Sequence, residues 1–293
     1  YGGFRAAKVA RALQRDHGIV VNGIVMVSPM LEGAFQFGGN RFALGAALHL
    51  PSLAAAELER RGAFTKEAIA EVEKFALTDY LTTLAGAPPM GAAAEKFYAR
   101  VAQMTGLPQA IVAKTRGFIG DAYIKHLRAS ERKIVSMYDA TFAVDDPYPE
   151  RETASGPDPL LEGVTRAYAS AFATYARDEL GFKTDLTFNL LAAGVSGRWD
   201  WHEGSGRTPP GVSDDLRVLL AFNPSFRLLI SHGYTDMVTP YAVSRYVLDH
   251  LPDYGNRSRA GLLLYRGGHM FYLDDGSRKA FSADAKLFYL GPP

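Results

Sequence analysis

Three short runs, residues 19–27, 227–231 and 261–265, are dominated by Val, Ile and Leu and almost free of charge. Such uninterrupted apolar runs suit strands buried on both faces, as in a parallel sheet covered by helices. Helical patterns flank them. Residues 1–16 read as a helix, with Gly18 as its stop. Pro29 ends the first strand, and residues 241–251 form a helix between the second and third. Residues 277–290 close the chain as a helix, with Ala280, Phe281, Ala285 and Phe288 facing inward. The expected class is therefore α/β, with a mostly parallel sheet.

The middle of the chain differs. Residues 65–84 read as one helix: Thr65 can cap it, and Ile69, Val72, Phe75, Ala76 and Tyr80 form one apolar stripe. Residues 92–104 and 109–114 are shorter helices. Residues 145–159 are a loop rich in Pro and Asp, and residues 159–180 are another helix, stopped by Gly181. This divides the chain into an α/β core at 1–45, a mainly helical insertion at 46–182, and the rest of the core at 183–293.

With 293 residues, 47% of them hydrophobic and 22% charged, the chain can bury a sizeable core. A net charge of +1 argues against binding nucleic acid or an anionic membrane through bulk charge. The absence of Cys excludes disulfides, thiolate metal sites and a cysteine nucleophile. The longest uncharged stretches, 18–31 and 42–56, are shorter than the ~18 apolar residues a membrane span needs. No phosphate-binding loop, dinucleotide fingerprint or H-E-x-x-H motif occurs, so neither a cofactor nor a metal is expected. Asn256-Arg257-Ser258 fits the glycosylation pattern, a triplet that also arises by chance.

Two loops place an ionisable residue just beyond a strand, where open α/β sheets build their sites. In Ser231-His232-Gly233-Tyr234-Thr235-Asp236, a buried run ends in a Gly turn and an Asp, and Pro240 precedes the next helix. Taken alone, Asp236 reads as the cap of a turn or helix; the functional alternative is a carboxylate that orients a histidine. In Tyr265-Arg266-Gly267-Gly268-His269-Met270, a strand runs into two glycines and a histidine. Alone, His269 reads as a turn histidine bonded to backbone. The other histidines, at 17, 49, 126, 202, 232 and 250, have no such context. Taken together, an Asp after one strand and a His after the next follow the chain order Ser…Asp…His of a hydrolase triad.

That order asks for an upstream serine on a strand–turn–helix, and no internal G-x-S-x-G exists. Gly194-Val195-Ser196-Gly197 and Gly204-Ser205-Gly206 lack the spacing. Tyr1-Gly2-Gly3-Phe4, which runs directly into a helix, reads as the continuation of a nucleophile elbow. The serine is expected immediately before Tyr1, in an N-terminal portion of the same protein.

With these residues in view, the chain resembles the serine carboxypeptidase family of α/β-hydrolases. Tyr1-Gly2-Gly3-Phe4-Arg5, His232-Gly233-Tyr234-Thr235-Asp236 and Gly267-Gly268-His269-Met270 carry the likeness. Trp199-Asp200-Trp201 and Ser213-Asp214-Asp215-Leu216 are similar to its bacterial branch. The resemblance implies an α/β-hydrolase fold with a helical cap and an acyl-enzyme peptidase acting on peptides with a free C-terminus. It gives Asp236 and His269 as triad acid and base, with the backbone N–H of Tyr1 as an oxyanion donor. Gly2 and Met270 would line the substrate, with Tyr80, Trp199, Phe35 and Phe37 as side-chain pocket candidates that read more readily as core. It also favours a periplasmic or secreted location. An esterase, aminopeptidase or acyltransferase on the same scaffold, or a catalytically silent binding protein, are the competing readings.

Overall fold

The computed structural model describes residues 2–36, 39–201, 209–254 and 256–290. The chain starts with α1 (Gly2–His17), β1 (Gly23–Val27), a short α2 (Gly33–Gln36) and α3 (Ala43–Arg60). Helices follow: α4 (Lys66–Phe75), a π-helical turn (Ala76–Tyr80), α5 (Leu81–Ala85), α6 (Gly91–Thr105), α7 (Gln109–Lys114) and α8 (Gly120–His126). A hairpin of β2 (Lys133–Val135) and β3 (Ala143–Asp145) precedes α9 (Pro159–Asp178) and α10 (Ala193–Arg198). The chain returns as α11 (Ser213–Phe222), β4 (Arg227–Gly233), α12 (Tyr241–Asp249), β5 (Ala260–Tyr265) and α13 (Asp275–Leu290).

β1, β4 and β5 form one parallel sheet in the order β1-β4-β5. The register runs from Gly23 beside Arg227 to Val27 beside Ser231, and from Leu228 beside Ala260 to Gly233 beside Tyr265. Central β4 is buried from Leu228 to Gly233, which explains its unbroken apolar sequence. Parallel pairing brings the loops after all three strands to one edge of the sheet. That edge is where Ser28, Asp236 and His269 meet.

Apolar side chains hold the layers together. Phe4, Ala7 and Ala10 of α1 and Leu216, Leu219 and Leu220 of α11 pack against Ile24, Met26, Leu228 and Ile230 of the sheet. A second cluster centres on α3, whose Ala46, Ala47, Ala54, Ala55 and Ala56 are almost wholly buried. Those small side chains let Ile69, Val72, Tyr98, Val101 and Tyr123 of the neighbouring helices approach closely.

The strand expected over 19–27 starts only at Gly23, because Gly18 turns left-handed at φ +63° and leaves Ile19 and Val20 exposed. The helix expected over 65–84 is interrupted by a π turn. There the hydroxyls of Thr78 and Thr82 donate to the carbonyls of Lys74 and Thr78, a back-bonding that loosens a helix. Thr65 caps it as read, accepting the Ala68 N–H at 3.0 Å. Of the residues expected to face inward on the last helix, Phe281, Ala285 and Phe288 are partly buried, whereas Ala280 faces solvent. Helices α3 and α11 and the β2–β3 hairpin had no counterpart in the sequence reading.

Candidate active site

β4 leads through His232 and Gly233 into the loop of Asp236, and β5 leads through Arg266 and Gly267 into the loop of His269. The loops are joined by backbone hydrogen bonds: Tyr234 N–H donates to Tyr265 O and Thr235 N–H to Gly267 O, both at 3.0 Å. The glycines have separate reasons. Gly267 adopts φ +104°, open to glycine alone at low cost. A Cβ on Gly268 would overlap Tyr138 O and Asp139 Cα, and one on Gly233 would overlap the carbonyl oxygens of Gly267 and Gly268. The loops therefore cross at backbone distance.

Asp236 is fully buried. Its Oδ1 accepts the N–H groups of Val238 at 2.8 Å and Thr239 at 2.9 Å, which closes the turn into Pro240 and α12. Its Oδ2 accepts the Thr239 hydroxyl at 2.7 Å and lies 2.9 Å from His269 Nδ1. The turn cap and the histidine-orienting carboxylate are thus the two oxygens of one side chain. The carboxylate holds the imidazole proton on Nδ1, leaving the Nε2 lone pair free to accept a proton. The His269 side chain keeps 27% of its surface open. Its N–H donates to Tyr138 O at 2.6 Å, and its carbonyl accepts the Ser28 hydroxyl at 2.8 Å.

Ser28 joins these parts. It follows β1 at φ +44°, an unfavourable conformation for a non-glycine residue. Its N–H donates to Ser231 O at 2.7 Å, and its carbonyl lies 3.1 Å from the Thr239 hydroxyl oxygen. The Ser28 hydroxyl thus faces the His269 backbone, not the imidazole. Among the described residues no serine hydroxyl bonds the His269 ring. A Cβ at Gly3 would overlap Pro29, so the first turn of α1 rests directly on the residue after Ser28.

Two more histidines border the site. His232, fully buried, has Nε2 at 2.8 Å from Ser244 Oγ. Burial pushes its pKa down to about 4, against the opposing pull of the Asp236 charge. His49 on α3 is also lowered by burial, partly offset by the Phe35 carbonyl that its Nε2 faces at 3.2 Å and by Asp236. Both are neutral at pH 7. Among the described residues, His269 is then the one basic side chain in ion-pair distance of Asp236.

The other expected site residues fall in different places. Met270 adjoins His269, half-buried. Gly2 is exposed in the first turn of α1, with open space around it. Tyr80 packs the helical core instead of lining a substrate site: it is 1% exposed and its hydroxyl donates to Gly117 O at 2.7 Å. Trp199 lies tilted against Trp201, with ring centroids 5.9 Å apart, and Trp201 packs edge-on against Phe4 of α1. Phe35 packs edge-on against Tyr246 of α12. Tyr1, Phe37, Gly204-Ser205-Gly206 and the Ser196 side chain lie outside the description. The sequence reading missed Ser28, Tyr138 and Thr239. Only Thr239 had a local signal, as the hydroxyl three residues after Asp236 and just before Pro240.

Among the described residues no group of three or more His, Asp or Glu side chains could hold a metal ion. None of the described helices is long and apolar enough to cross a membrane. No protein-family model, curated protein or solved structure matches the chain.

Proposed function

We propose that this chain carries the acid, Asp236, and the base, His269, of a serine hydrolase with the α/β-hydrolase fold. The nucleophile is a serine immediately before Tyr1 in the full-length polypeptide, and the activity is that of a serine carboxypeptidase. The observation that carries the reading is the 2.9 Å contact of buried Asp236 Oδ2 with His269 Nδ1 at the ends of adjacent parallel strands. The seating of Gly3 on Pro29, one residue from the serine that bonds His269, supports a nucleophile entering from the start of α1.

In this mechanism His269 Nε2 takes the serine proton as the hydroxyl oxygen attacks the scissile carbonyl carbon. The imidazolium, stabilised by Asp236, returns that proton to the departing amine as the C–N bond breaks. Water then repeats the sequence against the acyl-serine. The Tyr1 N–H would be one donor to the tetrahedral oxyanion, a role worth about 2.7–4 kcal/mol in comparable sites.

The test is fluorophosphonate labelling of the full-length polypeptide with peptide mapping. An adduct on the residue directly before Tyr1 is expected. No adduct on folded protein, beside a control hydrolase that labels, refutes the reading. Equal turnover of substrates with a free and an amidated C-terminus would leave the triad standing and move the activity to an esterase or a different peptidase.

A further inference from the structure

The backbone of His269 is held on two sides. The strap Ser136–Ala140, between β2 and β3, meets both loops of the dyad: Met137 O accepts the Met237 N–H at 3.2 Å, Ala140 N–H donates to Thr235 O at 3.3 Å, and Tyr138 O accepts the His269 N–H at 2.6 Å. Asp158, the N-cap of α9, braces the strap by accepting the Ser136 hydroxyl at 2.7 Å and the Met137 N–H at 2.8 Å. On the other side the Ser28 hydroxyl donates to the His269 carbonyl at 2.8 Å. A fixed backbone still lets the ring turn unless its own atoms are bonded. Among the described residues, the hydrogen-bond partners of the ring both lie at Nδ1: Asp236 Oδ2 at 2.9 Å and the Thr239 hydroxyl oxygen at 3.0 Å.

Thr239 is buried and tightly placed. Its branched side chain has few rotamers, Pro240 restricts its backbone, and its N–H donates to Asp236 Oδ1 at 2.9 Å. Its hydroxyl oxygen lies 2.7 Å from Asp236 Oδ2 and 3.1 Å from Ser28 O, besides the 3.0 Å to His269 Nδ1. A hydroxyl has one proton to give and two lone pairs. Neither a carboxylate nor a carbonyl has a proton to offer it. The shortest of the three contacts is to the charged oxygen, so the proton goes to Asp236. The lone pairs are left for the imidazole N–H. Oδ2, Oγ1 and Nδ1 stand at the corners of a nearly equilateral triangle, and the ring proton points between two acceptors. Turning the ring towards either acceptor weakens its bond to the other. We infer that Thr239 is a positioning residue of the dyad: its hydroxyl fixes Asp236 Oδ2 and gives the His269 Nδ1–H a second acceptor, which locks the ring. When Nε2 takes a proton, the charge on the imidazolium is shared by both acceptors.

This role rests on the hydrolase reading, and the test reads the ring as well as the turnover. Full-length protein with isotope-labelled histidine is compared by NMR as wild type, Thr239→Val and Thr239→Ser, and the His269 ring signal is assigned by its loss in His269→Ala. A ring N–H exchanges with water only while its hydrogen bonds are open. The Nδ1–H signal should be sharp in wild type and Thr239→Ser, and broadened away in Thr239→Val. In peptide turnover, Thr239→Val should lower kcat about tenfold with KM unchanged, and Thr239→Ser should stay within about threefold of wild type. If Thr239→Val fails to fold, Thr239→Ala is read in the same way. A signal and a kcat that the valine leaves as in wild type overturn the role, and so does a loss that the serine fails to restore. Wild-type protein that neither labels with fluorophosphonate nor cleaves a peptide removes the hydrolase reading and this role with it. Normal labelling with an unmoved Thr239→Val removes only this role.

Discussion

Acidification should strike this protein at His232. The residue lies on central β4, fully buried, four residues before Asp236, with Nε2 against Ser244 of α12. Desolvation is the main cause that lowers its pKa from 6.5 to about 4, and a charge on His269 adds to it; the Asp236 charge and the Thr239 backbone pull the other way. Between those values the unfolded chain binds a proton that the folded chain refuses. Stability is then whole above pH 6.5, is lost as pH falls towards 4, and levels off below. Tenfold in acidity is worth about 1.4 kcal/mol, so the full loss is about 3 kcal/mol, with about 2 kcal/mol of it falling between pH 7 and 4.5. Other groups also titrate on unfolding, so the assay is a comparison. Urea unfolding of wild type and His232→Gln is followed at several pH values. The glutamine can still bond Ser244 but cannot titrate. The variant should be less stable at pH 7 through altered packing, yet lose about 2 kcal/mol less than wild type on going to pH 4.5. Parallel curves for the two proteins would refute the reasoning.

Three other perturbations address the site and its support. Asp236→Asn or His269→Ala in the full-length protein should lower kcat at least about 10³-fold at unchanged fold, measured by peptide turnover; near-wild-type rates would remove that residue from the triad. Gly233→Ala forces a Cβ into the Gly267 and Gly268 carbonyls, and should cost about 1–3 kcal/mol or more in urea unfolding and depress turnover. An unshifted midpoint would mean that the loops do not cross so closely. Lys125→Met strips the buried partner from Asp146, which sits 2.5 Å away with both side chains about 5% exposed. It should destabilise by about 3–5 kcal/mol, and Lys125→Met combined with Asp146→Leu should recover much of that loss, as thermal unfolding would read.

The parts of this molecule that were legible in sequence share a physical cause. β4 shows as an apolar run ending in glycine because the sheet buries it, and the glycines after β4 and β5 show because the loops cross at backbone distance. Asp236 and His269 stood out because each follows such a strand directly. Apolar character misled where it was not paired with burial: Ile19 and Val20 continue the β1 pattern, yet are 52% and 59% exposed beyond the sheet. It also concealed α3. That helix is buried on nearly every side and carries Pro51, so its sequence has neither an amphipathic stripe nor a clean helical composition.

The strap was invisible for a different reason. Ser136–Ala140 lies between strands of three residues each, too short for an alternating pattern to register. Its bonds to the dyad run mainly through backbone groups, which every residue possesses. Only Gly268 hinted at it. The glycine before His269 reads in sequence as freedom to turn, but Gly268 needs no positive φ; it is small because the strap passes over it. A Cβ there would push Tyr138 O away from the His269 N–H that it anchors. The geometry of His269 is therefore set in two places: by Asp236 at the ring, and by the strap at the backbone. A substitution such as Asp158→Ala can reach His269 through Ser136, Met137 and Tyr138 without touching the loop of Asp236 or that of His269.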